Sequence, residues 1–118
     1  MDFDGVRNYC LSLKASNESF PFDEETLVFK VLNKMFCLTN INPPWSINLK
    51  CDPEQALELR EEHQAVKPGF HMNKKHWNTV ELDGSIRDEV VKEWINNSYN
   101  LVIKSMTKKE KEKLKGME

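Results

Sequence analysis

The sequence lacks several features that would place it in a specialised class of protein. No apolar run approaches the roughly 20 residues that a membrane-spanning helix needs. Residues 1–4 are acidic, so the chain starts without the basic and apolar regions of a secretory signal. Its 4 glycines stand far apart, which argues against a glycine-rich phosphate-binding loop. We therefore expect a cytoplasmic protein without a membrane segment.

Cysteine is also scarce. Cys10, Cys37 and Cys51 are an odd number of thiols at wide spacing, which is not the pattern of a disulfide framework. The closely spaced Cys or His pairs of a structural zinc site do not occur. Cys51 beside Lys50 is interpreted as a strand-end residue rather than an activated nucleophile. We expect reduced cysteines, with Cys10 and Cys37 buried, no metal or cofactor, and no enzymatic activity.

What the sequence does contain is the composition of one ordinary globular domain. Its 118 residues are 39% hydrophobic and 31% charged, enough for a single core. Apolar residues at three- and four-residue spacing predict helices over 2–13 and about 86–105. Strand-forming residues predict an antiparallel meander with a turn at Asn33–Lys34. The predicted strands cover residues 27–32, 35–39, 45–50 and 77–82.

The remaining segments complete an α+β fold, an antiparallel sheet flanked by N-terminal and C-terminal helices. Asp52 and Pro53 predict the start of a solvated helix over 53–64, with Ala56 and Leu57 facing inward. Ser85 to Asp88 resembles a capping box before the last helix. The other local expectations are a loop at 16–19, an interruption of regular secondary structure at 67–69 and a short strand at 70–72. The domain is expected to cover residues 1–106, followed by a frayed or disordered lysine-rich tail over 107–118.

One segment stands out by its charge. The net charge is −2, yet residues 67–80 contain Lys67, Lys74 and Lys75 and no carboxylate. Histidines, aromatic rings and amides are interspersed with these lysines. Such groups can contact phosphates, stack on bases and read base edges. The open alternative is a loop whose rings anchor in the core while its lysines only keep it soluble.

Several fragments resemble the MmcQ/YjbR family, over about residues 5–103. They are Cys10-Leu-Ser-Leu-Lys14, Val28-Phe-Lys-Val31, Lys34-Met-Phe36, Leu49-Lys-Cys-Asp-Pro53, Asp83-Gly84 with Ser98-Tyr99, and above all Pro68-Gly-Phe-His-Met-Asn-Lys-Lys-His-Trp-Asn-Thr-Val80. The resemblance implies a CyaY-like fold with a double-wing arrangement, and DNA binding. Carried over residue by residue, it implies nucleic-acid contacts by His71, Asn73, Lys74, Lys75, His76, Trp77 and Asn78, with Lys50 as a neighbour.

The predicted function is therefore that of a non-catalytic bacterial module, monomeric and cytoplasmic, that binds DNA weakly through residues 67–78. Lys67, Lys74 and Lys75 are expected to contact phosphates, and a small number of contacts implies low affinity. The alternative is a protein-interaction module that docks a partner through the same loop. That alternative requires Trp77 to be exposed in the free protein.

Overall fold

The fold is known from a computed structural model that describes residues 1–117. Six strands form one antiparallel sheet in the order β1-β2-β3-β4-β6-β5. The predicted α+β fold, a meander flanked by terminal helices, is confirmed. The elements are α1 (Phe3–Ser12), β1 (Ser16–Ser19), β2 (Thr26–Val31), β3 (Lys34–Asn40), β4 (Ser46–Lys50), α2 (Pro53–Glu62), β5 (Val66–Pro68), β6 (Trp77–Glu81), α3 (Asp88–Lys104) and α4 (Lys108–Lys115).

The two faces of the sheet differ in what covers them. Side chains alternate along each strand, so cross-strand partners such as Ile47 and Val80 share a face. That face is buried under α1, α2 and α3 and forms the core. Lys30, Asn48 and Thr79 occupy intervening positions and lie on the opposite face, which we call the open face.

Three predictions about the strands are wrong. The β2–β3 turn lies at Leu32–Asn33, where both residues have positive φ, so Lys34 already belongs to β3. Residues 16–19 are not a loop but β1, a polar edge strand held by backbone pairing to β2. The short strand is Val66–Pro68 rather than 70–72, so residues 67 and 68 belong to a strand and do not interrupt the secondary structure. Pro68 is tolerated because β5 is an edge strand.

Two predictions about the helices also need correction. Asp52 caps α2 as expected, but Leu57 is 57% exposed and only Ala56 of that helix is buried. The expected capping box at Ser85 does not form, because Ser85 bonds Asp83 and α3 starts only at Asp88. The helices at 2–13 and 86–105 are confirmed within a few residues.

The lysine-rich tail is ordered as far as the structure describes it. Residues 108–115 form α4, and Thr107 and Glu110 make a complete capping box at its start. Leu114, the one apolar residue in this charged run, is 8% exposed and joins the core. The prediction of a frayed or disordered tail is therefore wrong for residues 108–115, while Glu118 lies outside the described residues.

Cys10 and Cys37 are buried, as predicted, and all three cysteines are free thiols. Burial raises the pKa of the Cys37 thiol well above its ordinary value, and burial likewise raises that of Cys51. Over residues 1–117, no helix is both long and apolar enough to cross a bilayer. The same residues contain no group of three or more His, Cys, Asp or Glu side chains arranged to hold a metal ion.

Candidate functional site

The segment 67–78 begins in β5, crosses the open face as a loop and returns in β6. Its loop is fixed through the backbone, because the Phe70 N–H donates to Thr79 Oγ1 at 2.9 Å and Asn48 Nδ2 donates to the Phe70 carbonyl at 3.3 Å. Gly69 lies close against Trp77, because its N–H donates to the Trp77 carbonyl at 2.9 Å and a Cβ there would be only 2.8 Å from the Cβ of Trp77. The loop is thus held without using the Phe70 side chain.

Phe70 and His71 form a pair of rings at the exposed crest of the loop. Phe70 is 67% exposed, and its ring centroid lies 4.1 Å from that of His71 at an angle of 50°. His71 has φ of 60°, the left-handed region that non-glycine residues seldom adopt. Backbone strain of this kind is often retained at binding sites, where it aims side chains at a ligand.

The ring pair forms one wall of an open depression, the open-face cleft, with a volume of about 560 Å³. Phe22, 64% exposed, and Asp23 form the opposite wall. Backbone N–H groups of Glu25 and Thr26 lower the pKa of the Asp23 carboxyl, which keeps it ionised at neutral pH. The cleft therefore combines exposed rings with a negative charge on one side. Its floor includes Leu38, Asn40, Ser46 and Asn48.

The three lysines of the segment have different surroundings. Lys67 Nζ lies 2.8 Å from Glu81 Oε1, and the hydrogen bond with Glu81 raises the Lys67 pKa. The expectation that no carboxylate neutralises the lysines of this segment is therefore wrong for Lys67, while its contact with phosphate stays a prediction. Lys74 Nζ donates to the Gly69 carbonyl at 3.1 Å. Neither Lys74 nor Lys75 forms an ion pair with a carboxylate in residues 1–117, and both are exposed.

Asn78 is buried, contrary to the prediction of a base contact. It is 2% exposed on the core side of β6, where its Oδ1 accepts from Arg60 Nε at 2.7 Å. Its Nδ2 donates to the Ala56 carbonyl at 3.3 Å, which ties β6 to α2. Arg60 also donates to the carbonyls of Trp77 and Lys74. Sequence reasoning missed Arg60, although it is the one basic residue of α2.

The other predicted residues divide between the crest of the loop and one end of the sheet. Asn73 is exposed, but its Oδ1 accepts from the Lys75 N–H at 2.9 Å and so closes the turn. His76 and Trp77 are partly buried where β6 begins. Lys50, also partly buried, lies directly opposite Trp77 in the sheet. The structure thus brings Lys50, Lys75, His76 and Trp77 together, apart from the Phe70–His71 pair.

This architecture defines a class of small α+β protein whose antiparallel sheet carries helices on one face and a ring-bearing loop on the other. The family becomes clear from sequence comparison. The sequence model described as YjbR matches residues 11–101. The chain is 36% identical over 111 residues to the uncharacterized protein YbdF of Escherichia coli O157:H7, covering 93% of this chain and 91% of that protein. It is 33% identical over 116 residues to the uncharacterized protein YjbR of Escherichia coli K12, covering 97% of each. The chain therefore belongs to the YjbR family, as its resemblance predicted.

Solved structures agree with this assignment. The crystal structure of protein DR2400 from Deinococcus radiodurans matches with a TM-score of 0.89 at 49% identity, covering 95% of this chain and 86% of that one. A crystal structure from Pseudomonas syringae matches with a TM-score of 0.77 at 26% identity, covering 86% of this chain and 99% of that one. The shared fold is thus shown, while the CyaY-like and double-wing descriptions stay predictions.

Proposed function

We propose that the protein is a non-catalytic DNA-binding module that stacks unpaired bases on the Phe70–His71 pair. The observation that carries this proposal is the exposed ring pair, held at the crest of a loop whose backbone is fixed to the sheet. Stacking of a base on an aromatic side chain contributes about 1–3 kcal/mol and tolerates any sequence. Base faces are hidden in a duplex, so single-stranded DNA is the favoured ligand.

The proposal keeps the predicted segment but changes which residues do the binding. Rings replace lysines as the main contact, because Lys67 is paired with Glu81 and Asn78 is buried. Lys74 and Lys75 remain as phosphate contacts. These two contacts to a single strand contribute about −1.4 to the slope of log affinity against log salt, and any further phosphate contact makes that slope steeper. Binding is therefore weak, roughly micromolar or weaker at physiological salt.

A non-catalytic role is consistent with the way the cleft uses its polar groups. Asn48 Oδ1 accepts from Thr79 Oγ1, and Asn48 Nδ2 is bonded to the loop backbone. Asn40 is bonded to the backbone of Pro44 and Ser46. Side chains engaged in holding the fold have little capacity left for proton transfer or nucleophilic attack. We therefore place recognition, rather than chemistry, at this surface.

Fluorescence anisotropy with a labelled single strand and its matched duplex, at several salt concentrations, tests the proposal. Phe70→Ala is expected to weaken single-strand binding roughly tenfold, the equivalent of one lost stacking contact. The matched control is Phe20→Ala, because Phe20 is 48% exposed but does not line the open-face cleft. Absence of binding at low salt, or equal affinities for the two variants, would contradict the proposal.

A second candidate, a protein-interaction module, is supported by the open-face cleft. Phe22 and Phe70 are both exposed there, and the ionised Asp23 lies beside them. Trp77, which this alternative required to be exposed, is partly buried, so Phe70 would take its place. A partner that binds through this cleft should be captured from lysate after nuclease treatment and in high salt. It should be lost with Phe22→Ala, which leaves the Phe70–His71 pair intact.

A further inference from the structure

Strand register gathers lysines at one end of the sheet. Lys34 begins β3 and Lys50 ends β4, and antiparallel pairing makes these two strand ends neighbours. Lys50 pairs with Trp77, so Lys75, two residues before β6, reaches the same end. Lys104, at the end of α3, lines a shallow depression with Asp52 and is also located here. The opposite end carries acids at the start of β2 and after β6, namely Asp23, Glu24, Glu25 and Asp83.

Helix α4 adds five exposed lysines to this arrangement. Its position is set by the buried Leu114 and by the capping box of Thr107 and Glu110. The Thr107 N–H lowers the pKa of the Glu110 carboxyl, and the charge of Lys34 contributes in the same direction. Only residues 105–107 separate α4 from Lys104, and Ser98, earlier in α3, already bonds the backbone of Phe36 and Lys50. The chain therefore enters α4 at the end of the sheet where Lys34 and Lys50 lie. We call α4 together with Lys34, Lys50, Lys75 and Lys104 the basic end.

The charge of the basic end is only partly compensated. Asp52, Glu54, Glu110 and Glu112 also lie there, so nine lysines, five in α4 and four outside it, are opposed by four carboxylates. Within residues 1–117, no lysine of α4 has a carboxylate oxygen within ion-pair distance. Lys109 and Lys113, like Lys111 and Lys115, are four residues apart, a spacing at which like charges repel and destabilise a helix. With five lysines and two glutamates, the eight residues of α4 have a net charge of +3.

We infer that the basic end binds the phosphate backbone of the DNA whose bases stack on the Phe70–His71 pair. This inference rests on the proposed function and supplies the cations that residues 67–78 lack. The loop connects the two surfaces, because it starts at the ring pair and ends at Lys75, His76 and the strand pair of Lys50 with Trp77. A local positive field attracts phosphate even on a protein with a net charge of −2.

The test compares two double charge reversals in the full chain, using the same labelled single strand. Lys109→Glu/Lys113→Glu alters one face of α4. Arg87→Glu/Lys92→Glu makes the same change in net charge near the start of α3, away from the basic end. The α4 variant should weaken binding roughly tenfold and make the salt slope shallower by about 1.4, whereas the control should change affinity by less than about twofold. Equal effects of the two variants would overturn the inference.

Three further measurements show whether a loss of binding comes from unfolding of α4, from failure of the proposed function, or from a preference for a polyanion other than DNA. Lys109→Gln/Lys113→Gln removes the charges without adding acids, and circular dichroism should show unchanged helix content while the salt slope still falls. If Phe70→Ala weakens binding but both α4 variants bind as the control does, the inference about the basic end is refuted, while the proposed function remains supported. If wild type binds no DNA, the proposed function fails and this inference with it. Binding to vesicles of anionic phospholipid without binding to DNA would also overturn it.

Discussion

Replacement of Asn78 separates a structural role from a role in recognition. In Asn78→Ala, Arg60 Nε loses its 2.7 Å acceptor, and the Ala56 carbonyl loses the donor that it has besides its bond within α2. A hydrogen bond to a charged group contributes about 1.5–3 kcal/mol, and an ordinary one contributes about 0.5–1.5 kcal/mol. Arg60 is only partly buried, so water replaces some of its bond. We therefore expect the lower part of the combined range, about 2–3 kcal/mol.

For a chain of this length, that loss lowers the Tm by about 10 °C. Thermal unfolding followed by circular dichroism measures it directly, with Asn73→Ala as the control. Asn73 is exposed and closes a turn through the Lys75 N–H, so its replacement should cost less than about 1 kcal/mol. The structural reading of Asn78 is refuted if Asn78→Ala keeps its Tm within about 2 °C while its DNA affinity falls below that of Asn73→Ala.

Two further predictions concern other polar contacts. Ser98 is fully buried, donates to the Phe36 carbonyl at 2.6 Å and accepts from the Lys50 N–H at 2.9 Å. Ser98→Ala should lower the free energy of unfolding by about 2 kcal/mol, seen as a lower urea midpoint at unchanged m, and an unchanged midpoint would contradict this. The Glu110 carboxyl has a lowered pKa in the fold, so its capping contribution is present at neutral pH and is lost as pH falls through that lowered value. In an NMR titration the chemical shift of the Thr107 amide should change with a midpoint below the ordinary glutamate pKa of about 4.3. Glu110→Gln should abolish this change. A midpoint at or above about 4.3 would count against the cap.

The parts of the fold that periodicity could predict are those that bury an apolar stripe. The wide apolar face of α3 and the strict alternation in β4 gave correct elements to within about two residues. Elements held mainly by backbone pairing or by one anchor had no such pattern. β1 consists of Ser16-Asn17-Glu18-Ser19 and is a strand only because β2 supplies its partners. α4 is docked by Leu114 alone among its eight residues.

The ion pair of Lys67 depends on a strand whose position is predicted wrongly. The short strand is predicted at 70–72, and residues 67–80, which contain no carboxylate, end one residue before Glu81. With β5 at Val66–Pro68, Lys67 pairs with Thr79, and Glu81 is its diagonal neighbour two residues along β6. Long side chains reach such diagonal partners, so the 2.8 Å ion pair follows directly from the register. A count of charges along residues 67–80 could not find this ion pair, because Glu81 lies outside that range and comes near Lys67 only through the strand pairing.

Asn78 shows the converse, a feature that the sequence did contain. Residues 77–82 are predicted as a strand, and two of its apolar residues, Val80 and Leu82, are two positions apart and so share a face. Side chains repeat with a period of two along a strand, so Asn78 must share the face of Val80. A buried amide needs hydrogen-bond partners, and Arg60 with the Ala56 carbonyl provides them. Family resemblance placed Asn78 among surface contacts, whereas strand periodicity alone assigns it to the core, so periodicity should decide when the two disagree within a strand.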